Sequence, residues 1–342
     1  MASAAVVVLA CAAYGLAPFH QAFLQRLFGP PSIAFTGHQF LAWAAAAYIV
    51  VLAIYLMTES DPGTSKSLRF FRVLGRWARA PVQSFRIGLS AEDRLAVLTT
   101  LLKSFFGPWM TLSLMGHCMG AWASGTAILE AGLPEGSFRA MFDLFGFWFL
   151  FQAILFVDVV FFTVGYLVES RRLGNEIRSV DPTLVGWAAA LLCYPPFNEI
   201  TRSVLGAQNE TFPQFDNTTI HVTLNLLMLA LLAGYASASA ALGLKASNLT
   251  HRGIVARGPY AIVRHPAYAC KNLAWWIGSV PLVSLAFSQS LFAGFLSVAS
   301  VVGWTGIYVL RALTEEDHLR RVDGEYDEYA AKVRYRFIPG LI

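Results

Sequence analysis

Charged residues are scarce in this sequence. Only 13% of the 342 residues are Asp, Glu, Lys or Arg, whereas 56% are hydrophobic. A soluble domain usually carries about 25% charged residues. The deficit therefore excludes an ordinary soluble domain and predicts a polytopic integral membrane protein of the all-α class.

Cysteine and lysine are also rare. The four cysteines stand singly in or beside apolar runs, without the paired spacing of a zinc or redox site. The seven histidines do not cluster. We therefore predict buried, unreactive cysteines and no structural metal. Arginine supplies 20 of the 25 basic residues, a bias that favours a bacterial host.

Long apolar runs fill most of the sequence. The first run has no basic segment before it, so no removable signal peptide is expected. A membrane helix needs about 20 apolar residues, and the chain offers eight such runs. The predicted spans are roughly 2–19, 40–57, 95–115, 140–168, 184–205, 221–243, 271–287 and 290–311. Basic residues concentrate in alternate loops, and this pattern predicts that both termini are cytoplasmic. In a bacterial host, the expected location is the inner membrane.

Two of the predicted spans contain features that do not suit lipid. Asp158 lies in an apolar run, and an intramembrane carboxylate commonly has a function. A structural bond to a neighbouring helix is the alternative. In "CYPPFNEITRS", residues 193–203, the double proline is predicted to break or bend its helix.

Basic and aromatic residues are mixed between residues 58 and 94. Arginines recur there at helical spacing beside phenylalanine, valine and leucine. This pattern is typical of an amphipathic helix on an anionic membrane surface. Nucleic acid could use the same residue types, but the adjoining spans favour membrane lipids as the partner.

The segment "RGPYAIVRHPAYACKN", residues 257–272, is cationic and aromatic between two apolar runs. Its Gly-Pro pair predicts a turn, and Pro266 suits the first position of a new helix. The N-terminus of that helix, with Arg264 and Lys271, would attract an anion. An interfacial belt of aromatic and basic residues is the alternative interpretation.

The tail after the last predicted span is acidic and then aromatic. Glu315 and Glu316 open it, and "EYDEYAAKVRYRF" predicts a short amphipathic helix with Tyr326, Tyr329 and Val333 on one side. We expect this cytoplasmic tail to fold back and cap a pocket. Carboxylates facing a cationic helix start suit a zwitterionic ligand with hydroxyl groups.

These two segments together resemble the isoprenylcysteine carboxyl methyltransferase family. "GPYAIVRHPAYACKNLAWW", a helical hairpin and "RALTEEDHL…EYDEYAAKVRYRFIP" carry the resemblance, which covers roughly residues 245–342. Residues 1–244 stay without an assigned role. The resemblance implies direct methyl transfer from S-adenosylmethionine to a lipophilic, isoprenoid or lipid-like acceptor at the cytoplasmic membrane face. It also implies a set of cofactor contacts, namely Tyr260, Arg264, His265, Tyr268, Glu315 and Glu316.

The resemblance also bears on catalysis and on the acceptor. His265 and Glu316 are expected to be essential for methyl transfer. Asp158, as an intramembrane carboxylate, would line the acceptor's route, and either Asp158 or His265 would serve as the base for a neutral acceptor. The chain departs from the family near the pocket rim, at Cys270 and in the residues that follow it. There the acceptor is expected to contact Asn272, Trp276 and Arg334.

Two other functions fit parts of the sequence. Sterol reductases, which use NADPH, have similar tails, but "RALTEED" is nearer the methyltransferase pattern and Ala267 replaces their usual Asn. A transporter would suit Asp158 and the broken "YPPF" helix, although it leaves the tail unexplained. A soluble-type methyltransferase is excluded, because no Gly-rich loop follows a strand.

Overall fold

The chain is mostly helical. A computed structural model describes residues 2–29, 33–58, 65–131, 138–206 and 209–341. Helix makes up 76% of the protein and strand 3%, which confirms the predicted helical class.

The helices and strands follow one another in a simple order. The helices are α1 (Ala2–Leu16), α2 (Gln21–Leu24), α3 (Gly37–Thr58), α4 (Lys66–Arg79), α5 (Pro81–Ile87), α6 (Ala91–Ala131), α7 (Phe138–Met141), α8 (Phe147–Leu167), α9 (Leu184–Leu191), α10 (Asn198–Leu205), α11 (Thr218–Leu242), α12 (Pro266–Gln289), α13 (Leu291–Val322) and α14 (Tyr326–Lys332). The strands, of two residues each, are β1 (Leu27–Phe28), β2 (Phe35–Thr36), β3 (Ser179–Val180) and β4 (Thr250–His251). Short turns of 3-10 helix lie at Pro18–His20, Gly243–Lys245 and Gly258–Ala261, and a π-helical turn at Phe142–Gly146 precedes α8.

Five of the described helical segments are long and apolar enough to cross a membrane. They are Gly37–Tyr55, Ala91–Glu130, Phe138–Leu167, Thr218–Lys245 and Leu291–Val322. This supports a multi-pass membrane protein, but it does not confirm eight spans. Helix α1 has only 15 residues, the run 184–205 is divided between α9 and α10, and α12 carries polar residues among its apolar ones.

The predicted break at the double proline is confirmed. Helix α9 ends at Leu191 and α10 begins at Asn198, so Pro195 and Pro196 lie between them. Proline cannot donate a backbone hydrogen bond and cannot continue a helix at this point. The broken segment places Tyr194 outside both helices, where its side chain is available to a site.

The chain folds into two compact units. One comprises Met1–Gly116 with Thr163–Val180, and the other His117–Phe162 with Asp181–Ile342. In the first unit, α1 packs against α3 and α4. In the second, α12 packs against both α11 and α13, and α13 also contacts α9, α10 and α14.

The first unit contains the predicted amphipathic helix as α4. Val73 is its buried residue, and Arg76 donates to Asp93 in the first turn of α6 at 2.8 Å. In the same unit, Glu169 pairs with Lys66 and with Lys103, the latter at 2.7 Å. The helix is therefore confirmed, while its contact with membrane lipids stays a prediction.

The second unit is organised around the hairpin of α12 and α13. Pro266 occupies the first turn of α12, and the Ser290 hydroxyl accepts from the Ala293 N–H at 3.1 Å to cap α13. This confirms the predicted hairpin. Helices α11 and α12 approach closely at Gly234. A Cβ at this position would lie only 2.9 Å from Cys270 Sγ. Small residues at such contacts let membrane helices pack tightly.

Candidate functional site

The candidate site is a cavity that lies entirely within the second unit. Its volume is about 180 Å³, far more than the roughly 10–15 Å³ that one water needs by the same measure. Residues from α11, α12, α13, α14 and the segment 245–255 line it. It is large enough to hold an organic ligand.

Tyrosine and basic side chains dominate the lining. The seven tyrosines are Tyr194, Tyr235, Tyr260, Tyr268, Tyr308, Tyr326 and Tyr329. The basic side chains, apart from histidines, are Lys245, Arg252, Arg264, Lys271 and Arg311. Two carboxylates, Asp181 and Glu315, accompany them. Aromatic faces attract cations and stack on flat rings, and the charged groups would orient a polar ligand.

One wall of the site is held by the buried carboxylate of Glu316. Arg264 Nη1 donates to Glu316 Oε2 at 2.9 Å, and His265 Nε2 lies 3.1 Å from Oε1. Arg336 Nε donates to Oε1 at 3.1 Å, and Arg320 Nη2 to Oε2 at 3.3 Å. The Glu316 side chain is fully enclosed, with no exposed surface. Its role in this geometry is to fix the basic side chains around it.

The neighbouring carboxylate, Glu315, faces the cavity instead. Its side chain is 29% exposed, and one oxygen accepts from the Tyr268 hydroxyl. The other oxygen lies 3.9 Å from His265 Nδ1. His265 also stacks on Tyr268, with ring centroids 5.6 Å apart and planes 4° from parallel. Glu315 is thus a positioned carboxylate that a ligand can reach.

Arg311 supplies a buried cation beside that carboxylate. Its Nη2 donates to Asn248 Oδ1 at 2.9 Å, and its guanidinium lies 4.9 Å from the centre of the Tyr268 ring. The Nε atom is buried without a hydrogen-bond partner. A buried donor without a partner is costly, so a ligand acceptor at this position would be stabilising.

The C-terminal segment completes the wall through main-chain bonds. The N–H groups of Arg264 and His265 donate to the carbonyls of Tyr335 and Arg336 at 2.9 and 2.8 Å. The Tyr329 hydroxyl donates to the Tyr260 carbonyl at 2.9 Å. Burial raises the pKa of Tyr260, and the charge of Glu315 adds to that effect, so its phenol stays neutral. The tail therefore folds back onto this site as the sequence predicts.

A second polar group lies deeper, among the helices. Asp158 of α8 is 6% exposed and accepts from the hydroxyls of Tyr235, at 2.8 Å, and Ser239 of α11. The predicted bond of Asp158 to a neighbouring helix is present. Both of its hydroxyl partners line the cavity, so the carboxylate is one hydrogen bond away from it.

Most of the predicted cofactor contacts come together in this cavity. Tyr260, Arg264, His265, Tyr268 and Glu315 all line it. The sixth, Glu316, lies behind Arg264 and His265 as described above. Their contact with a cofactor stays a prediction.

The residues predicted to contact the acceptor lie elsewhere. None of Asn272, Trp276 and Arg334 is among the residues that line the cavity in the described part of the chain. Asn272 is buried and donates to the Tyr268 carbonyl at 2.8 Å. Trp276 Nε1 donates to the Thr305 hydroxyl at 3.1 Å. The carbonyl of Arg334 accepts from Arg264 Nη2 at 3.2 Å.

Several lining residues were missed in the sequence. Tyr235 and Ser239 are four residues apart on α11, and Tyr308 and Arg311 lie on one stripe of α13 that leads to the predicted Glu315. Polar residues at helical spacing inside apolar runs were the signal that could have found them. Across the described residues, no three His, Cys, Asp or Glu side chains are grouped to hold a metal ion.

Comparison with known proteins identifies part of this region. Residues 189–333 match a family described as protein of unknown function DUF1295. That family is related to membrane proteins of the steroid 5-alpha reductase and isoprenylcysteine methyltransferase type. No curated protein and no solved structure matches the chain. The matched segment starts before residue 245, and the predicted division of the chain at that point stays a prediction.

Proposed function

We propose that this protein is an integral membrane methyltransferase that uses S-adenosylmethionine and methylates a lipophilic acceptor. The observation that carries the proposal is the pairing of an accessible carboxylate, Glu315, with a buried guanidinium, Arg311, in a cavity walled by tyrosines. Their closest atoms are 3.9 Å apart. The cavity thus presents both signs of charge and aromatic surface, which a zwitterionic ligand with a flat ring requires.

The lining offers a partner for each part of such a cofactor. Glu315 and Asp181 suit an amine or ribose hydroxyls, since a carboxylate accepts several hydrogen bonds. Arg311, with its unpaired Nε, suits a carboxylate. The tyrosine rings suit a purine and a cationic sulfur. When bound, the cofactor supplies an activated methyl group on a good leaving group.

The protein's own contribution is to position groups and exclude water. The Glu316 network and the main-chain bonds to Tyr335 and Arg336 hold His265 and Arg264 rigidly at the wall. Rigid placement lowers the barrier because reactants need not be oriented at the moment of reaction. Enclosure among buried rings removes water, which favours a transfer in which opposite charges neutralise.

A reductase that uses NADPH is the second candidate. The observation in its favour is the excess of basic side chains, five against two carboxylates, around the cavity. Arginine and lysine would bind the phosphates of such a cofactor. The relation of the matched family to both protein types agrees with either candidate.

Equilibrium binding to the detergent-purified protein distinguishes the two candidates. S-adenosylmethionine, S-adenosylhomocysteine and NADPH are compared on the wild type, Glu315→Gln and a control, Asp317→Asn. Asp317 is two residues from Glu315 on the same helix, but it is 68% exposed and does not line the cavity. We expect both adenosyl compounds to bind and Glu315→Gln to weaken them at least tenfold, with the control unchanged.

The other outcomes would contradict the proposal. Binding of NADPH alone favours the reductase. Binding of none of the three compounds removes both enzymatic functions, and transport assays would then be the next step. If Glu315→Gln and Asp317→Asn weakened cofactor binding equally, the effect would be one of overall charge, and Glu315 would have no specific role in the cavity.

A further inference from the structure

Lys271 is a cation that lines the cavity, and no carboxylate of the described residues lies within 4.0 Å of its ammonium. Its ammonium lies 5.4, 5.2 and 5.7 Å from the ring centres of Tyr235, Trp275 and Tyr308. Aromatic faces stabilise an ammonium without neutralising its charge. Lys271 therefore stays available to a negative group that enters the cavity.

A proton acceptor stands beside this cation. Asp158 binds the Tyr235 hydroxyl at 2.8 Å, and Tyr235 lines the cavity while its ring contacts Lys271. The hydroxyl of Tyr235 can accept a proton on its oxygen and pass its own to Asp158. The cavity thus has, at one place, a route for removing a proton and a cation to stabilise the charge that remains.

Lys271 contacts the ring of Tyr308, where a row of lining residues on α13 begins that continues past Arg311, 5.5 Å from the same ring, to Glu315. Tyr308 and Glu315 are seven residues apart on α13, which corresponds to about 10 Å along a helix axis. Glu315 and Arg311 would hold the cofactor at one end, so the Lys271 end is left for the acceptor. Phe162 and Tyr194 also line the cavity and add ring surface.

We infer that the acceptor subsite is built for a lipophilic phenol, with Lys271 and Tyr235 as catalytic residues and Asp158 acting through Tyr235 as a positioning residue. This inference rests on the proposed methyl transfer. A carboxylate acceptor is already nucleophilic and gains nothing from a proton route. A protonated amine would be repelled by Lys271. A phenol has a pKa near 10, so it requires the proton acceptor and benefits from the cation.

The step balances without a further reactant. The acceptor O–H proton moves to the Tyr235 oxygen, as the Tyr235 proton moves to Asp158 Oδ2. The phenolic oxygen then forms a bond to the methyl carbon, and the carbon–sulfur bond of the donor breaks to leave a neutral thioether. Lys271 stabilises the oxygen while it carries negative charge.

Other charged or titratable groups also face this end. Arg311 of α13 adds a second cation, and Cys193 and Tyr194 approach from the segment between α9 and α10. Tyr308 completes the ring cage from α13. Because Arg311 already donates to Asn248 and lies over Tyr268, Lys271 is the cation left for the acceptor.

The test uses a nitrophenol with a long alkyl chain, whose phenolate absorbs visible light. The probe is bound to the detergent-purified full-length protein without a methyl donor, and its ionisation is followed against pH. We expect the midpoint to fall by at least about one pH unit relative to detergent alone, a tenfold change in ionisation. Lys271→Met should abolish the shift, while the exposed control Lys332→Met should retain it.

An unshifted midpoint, absence of binding, or a shift that survives in Lys271→Met would overturn the inference. This readout needs no methyl donor, so it fails or succeeds independently of the proposed function. If Lys271→Met does not fold, Tyr235→Phe, which removes a single oxygen, must weaken probe binding at least tenfold.

Turnover with labelled methyl donor provides the second readout. An alkylphenol gives a base-stable ether, whereas an alkanoic acid of matched chain length gives a base-labile ester. We expect the wild type to form the ether. In Asp158→Asn the rate of ether formation should fall at least a hundredfold and its pH profile should change, and Asp158→Glu should partly restore the rate. Ester formation that Tyr235→Phe leaves unchanged would refute the phenol subsite while leaving the methyltransferase intact.

Discussion

Glu315 and Glu316 are neighbours on α13, yet one lines the cavity and the other has no exposed surface. Consecutive helical residues point about 100° apart, so one side chain can face the cavity while the next supports its wall. The carboxylate of Glu316 meets Arg264 and Arg336, whereas that of Glu315 meets the hydroxyl of Tyr268. Substitution of the two residues should therefore have different consequences.

Glu316→Gln is expected to destabilise the protein by roughly 3–5 kcal/mol, because it leaves buried arginines without their carboxylate. Glu315→Gln should leave stability nearly unchanged and weaken ligand binding. Thermal unfolding in detergent and cofactor binding, measured on both variants, separate the two effects. Equal unfolding midpoints for the two variants would show that the Glu316 network does not stabilise the fold.

The stability of the first unit should depend on pH through Glu169. Burial alone would raise the pKa of this carboxyl, but Lys103 and Lys66 lower it from 4.5 to about 2. A lowered folded-state pKa gives stability that is complete above pH 4.5 and is lost as the pH falls toward 2. The shift corresponds to about 3 kcal/mol.

Glu169→Gln should therefore lower the unfolding midpoint at pH 7, and the difference from wild type should shrink below pH 4.5. Glu176→Gln serves as the control, because its pair with Arg171 is exposed and such pairs contribute roughly 0–1 kcal/mol. A difference that stays constant from pH 7 to pH 3 would argue against a charged Glu169.

Gly278 on α12 should not tolerate a side chain. A Cβ there would lie 2.5 Å from the Glu210 carbonyl oxygen and 3.2 Å from Asn209 Cβ. Gly278→Ala should destabilise the protein by about 1–3 kcal/mol through overpacking. Gly306→Ala on α13, where nothing lies within 4 Å, should be neutral or stabilising by up to about 1 kcal/mol. Similar unfolding midpoints for the two variants would contradict the close packing of α12 on segment 209–210.

Tyr329→Phe should loosen the tail without unfolding the protein. It removes the bond to the Tyr260 carbonyl, and a hydrogen bond contributes about 1 kcal/mol. Burial raises the pKa of Tyr329 to about 12, so the hydroxyl remains a donor well into alkaline pH. Hydrogen exchange of residues 326–337 should accelerate in this variant and not in Tyr335→Phe, where the ring is 39% exposed. An unchanged exchange rate in Tyr329→Phe would show that this hydrogen bond does not hold the tail on the site.

Local sequence signals predicted the elements of the site well. Pro266 marks the start of α12, the predicted hairpin joins α12 to α13, and the stripe of Tyr326, Tyr329 and Val333 forms the buried side of α14. Each of these follows from backbone restriction or amphipathic spacing, which act over a few residues. The break at the double proline has the same origin.

The three-dimensional arrangement was less predictable, because it depends on contacts between distant residues. Which of two adjacent glutamates faces the cavity depends on the rotation of α13, and hydropathy does not encode it. Lys271 was assigned to the helix start, yet α11 and α13 place it in a ring cage beside Asp158. Asn272 was expected at the rim and is turned toward its own helix.

The main-chain bonds between Arg264–His265 and Tyr335–Arg336 also bear on how the protein folds. The contact from Arg264 to Arg334 joins residues 70 apart in sequence, with the α12–α13 hairpin between them. Closing so long a loop costs entropy unless a preformed hairpin has already brought its ends together. The hairpin is therefore expected to form first and the cavity wall last. A variant that slows hairpin assembly would delay the appearance of ligand binding in refolding, even with every lining residue intact.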